Sequence, residues 1–498
     1  MGGGRRVLVS ELLANEPAAA RIGATTERDL DLDIAGIAAH SADVRPGYLF
    51  AALKGTKADG GTFVADAIQR GAIAILADRG AKIDAGRVRV IAVDDARATL
   101  ARAAAKFFGR QPATLVAVTG TNGKTSVANF VRQMWESLGH RAASLGTLGV
   151  LSGTRHVPLK HTTPEPVQLH RLLAELAGEG VDHAALEASS HGLDQHRLDG
   201  VCIAAAGFTN LSRDHMDYHA TPQAYFEAKR ALFASVLPRG GVAVLNADAP
   251  EYPELVRTCR ARDQRTISYG RAGSELRIAG YRPNGSGSYV DLATDGRVET
   301  VRVPLVGDFQ LWNALCALGL VLGTGGNFDA SLIALRSLRG APGRMQEVAD
   351  INGARVFVDY AHTPDAIEKV LRALRPHARN RLVIVFGCGG DRDPGKRPVM
   401  GTVACELADR VIVTDDNPRT EDPTRIRAQV LAGCGRATEI GDRAEAIRVA
   451  VAGLDEGDVL VIAGKGHERG QIVGAAVLPF DDAEHARAAV REHAGVGA

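Results

Sequence analysis

At 498 residues the chain is long enough for about two to four domains, each with its own core. Its 59 Lys and Arg nearly cancel its 58 Asp and Glu, which argues against a nucleic-acid binder, and no stretch reaches the ~18 unbroken apolar residues of a membrane span. The six cysteines are scattered without C-x-x-C spacing and read as reduced, mostly buried thiols; with an N-terminal apolar run (Val7 to Val9) too short for a signal-peptide core, a cytoplasmic protein is expected.

Residues 1–108 alternate helical stretches with short strands at Ile73 to Leu76 and Val88 to Val93, ending in an alanine-rich helix from Asp95 to Phe108. Between Ser41 and Gly61 the density of Gly, Pro and Asp predicts a loop, either ligand-binding or an ordinary connection. Gly109 to Pro112 reads as a linker.

Next comes L-V-A-V-T-G-T-N-G-K-T-S, Leu115 to Ser126. A buried strand breaks at Thr119-Gly120, and a helix follows with Val127, Phe130, Val131 and Met134 on one face. Strand, glycine turn and Lys-Thr at a helix start bring backbone N–H groups around a phosphate. The expected phosphate contacts, which the resemblance below makes ATP contacts, are Gly120, Thr121, Asn122, Gly123, Lys124, Thr125 and Ser126, with Lys124 on the terminal phosphates and the Thr125 hydroxyl on Mg²⁺. A strict Walker A motif has glycine six residues before the lysine; Val118 stands there, which weakens motor-ATPase and GTPase readings.

Within 109–341, the apolar run Ala184 to Leu186 ends on Glu187, a strand-end carboxylate placed where Mg²⁺ is held. Further strand-end polar clusters are L-S-R-D-H-M-D-Y-H (Leu211 to His219) and Asn246 to Asp248. Residues 266–303 read as short strands and turns, and a helix starts near Phe309. From 342 to 498, strands at Arg355 to Val358, Leu382 to Phe386, Arg410 to Thr414 and Val459 to Ile462 alternate with five helices, predicting a doubly wound, mostly parallel sheet. The polar motifs V-D-Y-A-H, G-C-G-G-D-R, D-D-N-P-R and G-K-G-H-E each follow one of these strands, where such sheets bind ligands.

In this order, together with Thr162-Thr163-Pro164, E-A-S-S-H-G-L and P-G-R-M, the motifs resemble the Mur ligases, ATP-dependent amide-forming enzymes of peptidoglycan precursor synthesis. The resemblance covers nearly the whole chain. It implies an α/β fold of three domains: an N-terminal UDP-binding domain (1–108), a central P-loop ATPase-type domain (109–341) and a C-terminal Rossmann-like amino-acid-binding domain (342–498). The set is most similar to the branch that adds the third residue to UDP-N-acetylmuramoyl-L-alanyl-D-glutamate. By resemblance, Lys124, Glu187, His215 and Lys229 are catalytic. Thr125, Glu187, His215 and Lys229, the last as a carbamate, hold Mg²⁺. Asn313, Arg344 and Asp359 join the ATP contacts, and Ser41, Thr162, Thr163, Ser189, Gln195 and Arg197 hold the UDP-sugar peptide. A monomer without nucleic-acid partner or membrane insertion is expected. The sequence departs from the family at His40 and Ala42 (usually D-S-R), at His161 and at Gln310.

The amino acid added is read from Asp416, Asn417, Pro418 and Arg419. meso-Diaminopimelate differs from lysine by a distal carboxylate, and selecting it needs a fixed cation with a planar fork. Arg419 fits, with Asp416 and Asn417 on the distal amine, Gly464 and Glu468 completing the pocket and Arg392 near a carboxylate. Alternatives are the lysine-adding and dipeptide-adding siblings, or a nucleotide-hydrolysing switch, which would have no use for the C-terminal motifs.

Overall fold

The computed structural model describes residues 6–14, 31–55, 59–153, 155–212, 214, 216, 218–284, 287–294 and 296–495. Their contacts divide into two units, Met1–Tyr269 with Cys316–Ser331, and Gly270–Leu315 with Leu332–Ala498.

After a short antiparallel pair, Val7–Leu8 with Asp33–Ile34, the first unit has four parallel strands in sequential order, β1 (Gly36–Ala38), β2 (Tyr48–Ala51), β3 (Ala72–Asp78) and β4 (Arg89–Val93), followed by helix α1 (Ala96–Phe108). Strand β2 corrects the loop expected over Ser41 to Gly61. Pairing with neighbours on both sides and burial of Leu49 and Phe50 on opposite faces outweigh the turn-forming residues around them. Asp95 caps α1 by accepting from the Ala98 N–H, and Gly109 ends it in the left-handed region.

A second sheet of this unit contains β5 (Thr114–Thr119), then helix α2 (Lys124–Ser137), β6 (Ala142–Gly146), β7 (Gly149–Ser152), β8 (Arg155–Val157), helix α3 (Pro166–Gly178), β9 (His183–Glu187), β10 (Ile203–Phe208), helix α4 (Pro222–Ala231), β11 (Val242–Asn246) and β12 (Arg265–Gly270). The strand order is β8-β7-β6-β9-β5-β10-β11-β12, antiparallel at β8-β7-β6 and parallel beyond. Strand β5 lies between β9 and β10, so the loop after β5 opens between their carboxyl ends. On α2, Val127, Phe130, Val131 and Met134 are all fully buried, each worth about 1.5–3 kcal/mol of removal from water.

The second unit holds an antiparallel set, β13 (Leu276–Asn284), β14 (Gly287–Thr294) and β15 (Arg297–Val303), where only short strands and turns were expected. Helix α5 (Asp308–Gly323) follows, its residues from Cys316 on belonging to the first unit. Its other sheet comprises β16 (Gln346–Ile351), β17 (Ala354–Asp359), β18 (Leu382–Phe386), β19 (Arg410–Val413), β20 (Thr438–Glu439) and β21 (Val459–Ala463), in the order β16-β17-β21-β18-β19-β20 and parallel except at β16-β17. Alternate residues enter two cores. Phe357, Ile384, Phe386 and Val461 face one, with Ile367, Met400 and Ile426; Val356, Val383, Val385 and Leu460 face the other, with Ile447 and Ala486. This is the doubly wound arrangement expected.

All six cysteines are free thiols, four of them buried. Among the described residues, no helix is long and apolar enough to cross a membrane.

Candidate functional site

In the first unit, the loop after β5 is folded by its own backbone and by the segment after β10. Gly120 sits at φ +148°, and a Cβ there would stand 1.9 Å from the Thr209 hydroxyl, so no other residue fits. Thr121 N–H donates to Asn210 O (2.8 Å), Asn122 N–H to the Asn210 side-chain oxygen (3.1 Å), and the Thr209 hydroxyl to Asn122 O (2.6 Å). Two ammonium groups converge on this loop. Lys124 donates to Gly120 O (2.8 Å) and Thr121 O (2.9 Å), and Lys229, from α4, donates to the same Gly120 O (2.8 Å).

Lys229 is buried, with its ammonium 4.3 Å from the Tyr225 ring centroid. Burial pushes its amine well below the ordinary 10.5, and the charge of Lys124 pushes it further. A loop of backbone N–H groups flanked by two lysines is a place for concentrated negative charge.

Beside it, the Thr125 hydroxyl donates to Glu187 Oε2 (3.0 Å) at the carboxyl end of β9. Thr147 donates its backbone N–H to Glu187 Oε1 (2.7 Å) and its hydroxyl to Oε2 (3.2 Å). The Thr125 hydroxyl and the Glu187 carboxylate are buried hard-oxygen donors at one point, a set that fits Mg²⁺.

From Glu187 the polar contacts run on. Thr162 shares a hydroxyl bond with Thr147 (3.1 Å); Thr163 donates to Glu187 O (2.8 Å) and pairs with Ser189 (3.0 Å). Arg197 donates to Thr163 O (2.7 Å) and to the Gln195 side chain (2.8 Å). Gln195 and Arg197 border a cavity of about 390 Å³, together with Ser41, His40, Phe63 and Glu165. Thr125, Glu187, Thr162, Thr163, Ser189, Gln195 and Arg197 therefore form one hydrogen-bonded series within this unit. His215 lies outside the described residues. Thr147 in this series, Asn210 on the loop after β5 and Glu165 on the cavity were missed, because nothing local in their segments marks them.

In the second unit, Asp359 ends β17 buried and accepts from Met345 N–H (2.6 Å) and Ala361 N–H (2.8 Å). Burial raises its carboxyl above the ordinary range, and Arg344 opposes the rise. The Arg344 guanidinium lies 4.2 Å from the Tyr360 ring centroid, while its carbonyl accepts from Gln310 (3.1 Å), whose own side-chain oxygen accepts from Asn313 (3.0 Å). Asn313, Arg344 and Asp359 thus share one neighbourhood, joined by Gln310.

At the carboxyl ends of β19 and β21, Asn417 donates to Glu468 (2.8 Å) and accepts from Lys465 (3.0 Å) and from Ile472 N–H (2.9 Å). Lys465 is fully buried and donates also to Gly470 O (2.6 Å) and Glu468 (3.3 Å). Its motif G-K-G-H-E was expected to carry ligand groups, but Lys465 itself was not among the expected contacts. A Cβ on Gly464 would stand 2.6 Å from Asp416 Oδ2, so the strand end approaches that carboxylate closely.

Pro418 leads into Arg419, held at φ +53° by its N–H bond to Ile472 O (3.0 Å). The Arg419 guanidinium donates to Gly390 O (2.7 Å) and borders Gly389, as does the exposed Arg392. Buried Arg397 braces the same turn through Gly389 O (3.1 Å) and Glu421, whose carboxyl it pulls down to about 2.

Comparison with known proteins matches three families along the chain: the Mur ligase family catalytic domain (residues 33–108), the Mur ligase middle domain (118–321) and the Mur ligase glutamate ligase domain (343–466). The UDP-N-acetylmuramoyl-L-alanyl-D-glutamate–2,6-diaminopimelate ligase of Bradyrhizobium diazoefficiens is 53% identical over 463 residues, covering 92% of this chain and 95% of that protein. A solved structure of a ligase of the same name has TM-score 0.73 at 35% identity and covers 98% of this chain and 100% of its own. A MurF structure from Acinetobacter baumannii, 18% identical with TM-score 0.63 over 92% and 96% of the two chains, shares the fold. The chain belongs to the Mur ligase family.

Proposed function

We propose that this chain is an ATP-dependent ligase that adds meso-diaminopimelate to UDP-N-acetylmuramoyl-L-alanyl-D-glutamate, with residues 1–108, 109–341 and 342–498 serving UDP, ATP and amino acid respectively. The observation that carries the reading is the 53% identity to a 2,6-diaminopimelate ligase along 92% of the chain, joined to a loop on which two lysines converge.

Amide formation requires a leaving group on the carboxyl. The glutamate carboxylate oxygen bonds the γ-phosphorus of ATP, ADP departs, and an acyl phosphate results. The amine then attacks the acyl carbon, and phosphate leaves with the electron pair of the broken C–O bond. Two anions must approach in the first step, and Lys124 places positive charge on the loop that would hold the triphosphate. Thr125 and Glu187 would hold Mg²⁺, which supplies further charge neutralisation when bound.

The lowered Lys229 amine supports its reading as a carbamate. Its neutral form offers a lone pair to the carbon of CO₂ and releases a proton, turning a cation into an anionic metal ligand. Arg419 and Arg392 beside Gly389 supply the cations for a distal carboxylate. The test is phosphate release from ATP with the UDP-dipeptide and a panel of amino acids. Release is expected with meso-diaminopimelate, and comparable kcat/KM for L-lysine would overturn the reading.

A further inference from the structure

Helix α2 starts at the phosphate loop, and strand β9 finishes at Glu187; their opposite ends meet in a cluster with no part in the chemistry above. After α2, Gly139 turns the chain and His140 follows, its N–H held by Trp135 O (2.9 Å). Asp182 immediately precedes β9 and His183 starts it, and both of their N–H groups donate to Arg141 O (3.0 and 3.3 Å), which ties the two turns together.

The side chains converge. His183 Nδ1 is 2.9 Å from Asp182 Oδ1, and His140 Nδ1 is 4.0 Å from Asp182 Oδ2. The two imidazole rings lie 4.0 Å apart, and one donor atom from each of the three residues falls within 4.8 Å of the others. Among the described residues, no other set of three His, Cys, Asp or Glu side chains is gathered so closely. His140 and Asp182 are 40% and 47% exposed, which leaves room for water to complete a coordination shell.

We propose that His140, Asp182 and His183 form a binding site for a divalent transition cation, Zn²⁺ or a close relative, that clamps the carboxyl end of α2 to the start of β9. Two imidazoles and a carboxylate suit Zn²⁺, Co²⁺, Ni²⁺ and Cu²⁺, whereas Mg²⁺ prefers an all-oxygen shell. Tetrahedral zinc with bonds near 2.0–2.1 Å spaces its donors roughly 3.3 Å apart. The Asp182–His183 pair is already near that separation, and His140 needs a side-chain rotation of about an ångström. The five residues of β9 put the cluster about 13 Å from Glu187, so it is a separate site.

The full-length protein is titrated with Zn²⁺ against a chromophoric chelator, with Mg²⁺ saturating throughout. One equivalent of Zn²⁺ is expected, with affinity weakened about tenfold or more in His140→Ala and in the shape-conserving Asp182→Asn. A second readout uses Trp135, whose ring is 4.8 Å from that of His183. In a Trp312→Phe background it is the sole tryptophan, and Cu²⁺ should quench its emission at one equivalent, but not when His140 is Ala. Equal zinc binding by wild type and both variants, or Trp135 emission unmoved by Cu²⁺, would overturn the proposal.

Discussion

In the loop after β5, Lys124 and Lys229 give their hydrogen bonds to backbone carbonyls; in the loop after β21, Lys465 gives its bonds to Asn417, Glu468 and Gly470 O. Carbonyl bonds position an ammonium without neutralising it, so these bonds aim Lys124 at the space an incoming anion would enter. The depressed Lys229 amine records what keeping a charge buried costs. In the second loop a carboxylate neutralises the lysine, which then acts as a rivet fixing Asn417 between two strand ends. Similar residue types thus build a charged cradle in one unit and a rigid frame in the other.

The largest effect is expected where the Lys124 charge is removed. Lys124→Ala should lower the turnover of ATP-dependent ligation by about a thousandfold while leaving the melting temperature unchanged, since the loop keeps its bonds to Thr209 and Asn210 without it. Turnover within about tenfold of wild type would break the contrast. Next is the cation beside Gly389: Arg419→Ala should erase most of an expected preference of about a hundredfold for meso-diaminopimelate over L-lysine, read as a ratio of kcat/KM values.

The rivet predicts a stability effect instead. Lys465→Met keeps the buried stem but strips Asn417 and Glu468 of a donor, and should cost about 2 kcal/mol in urea unfolding. Adding Glu468→Gln should cost less than the sum of the two single changes, because they share one network. Additive costs would mean that the lysine and glutamate act independently.

The smallest effect belongs to His40 and Glu165 on the cavity of the first unit, 2.8 Å apart and 62% and 33% exposed. The Glu165 hydrogen bond raises the imidazole above its ordinary 6.5, and the same bond lowers the carboxyl. The imidazole's contribution is therefore complete below 6.5 and lost as pH climbs through its raised value; the carboxylate's is lost only in acid, as pH falls through its lowered value. Exposure limits the pair to about 0.5 kcal/mol. Unfolding stability should fall slightly more between about pH 6 and pH 8 in wild type than in His40→Asn, and superimposable profiles would remove the pair from the argument.

The same contrast governs what could be read before the structure. The phosphate loop is contiguous, so its lysine, glycines and helix start announce each other within twelve residues of chain. Leu382–Phe386 is an unbroken apolar run and was expected with the limits it has. The rivet is invisible locally, since Asn417 meets Lys465 and Glu468 across separations of 48 and 51 residues. Gln310 stood out only as a departure from the family pattern, yet its amide joins Asn313 to the Arg344 carbonyl. Tyr48–Ala51 failed for another reason: four residues carry too little periodicity to outvote the turn formers flanking them, and only the paired strands on either side decide the matter.

Strand β21 lies between β17 and β18 although it is made long after both. Until Val459–Ala463 leaves the ribosome, the hairpin of β16 and β17 has no parallel partner to join, and β18 with β19 forms a separate fragment exposing an apolar edge. Closing this sheet is a late, non-local event, with the slow kinetics that such pairings carry. A chain cut short before residue 459 would lose the middle of a sheet rather than its tail, and nascent chains stalled there are the species that chaperones should be found holding.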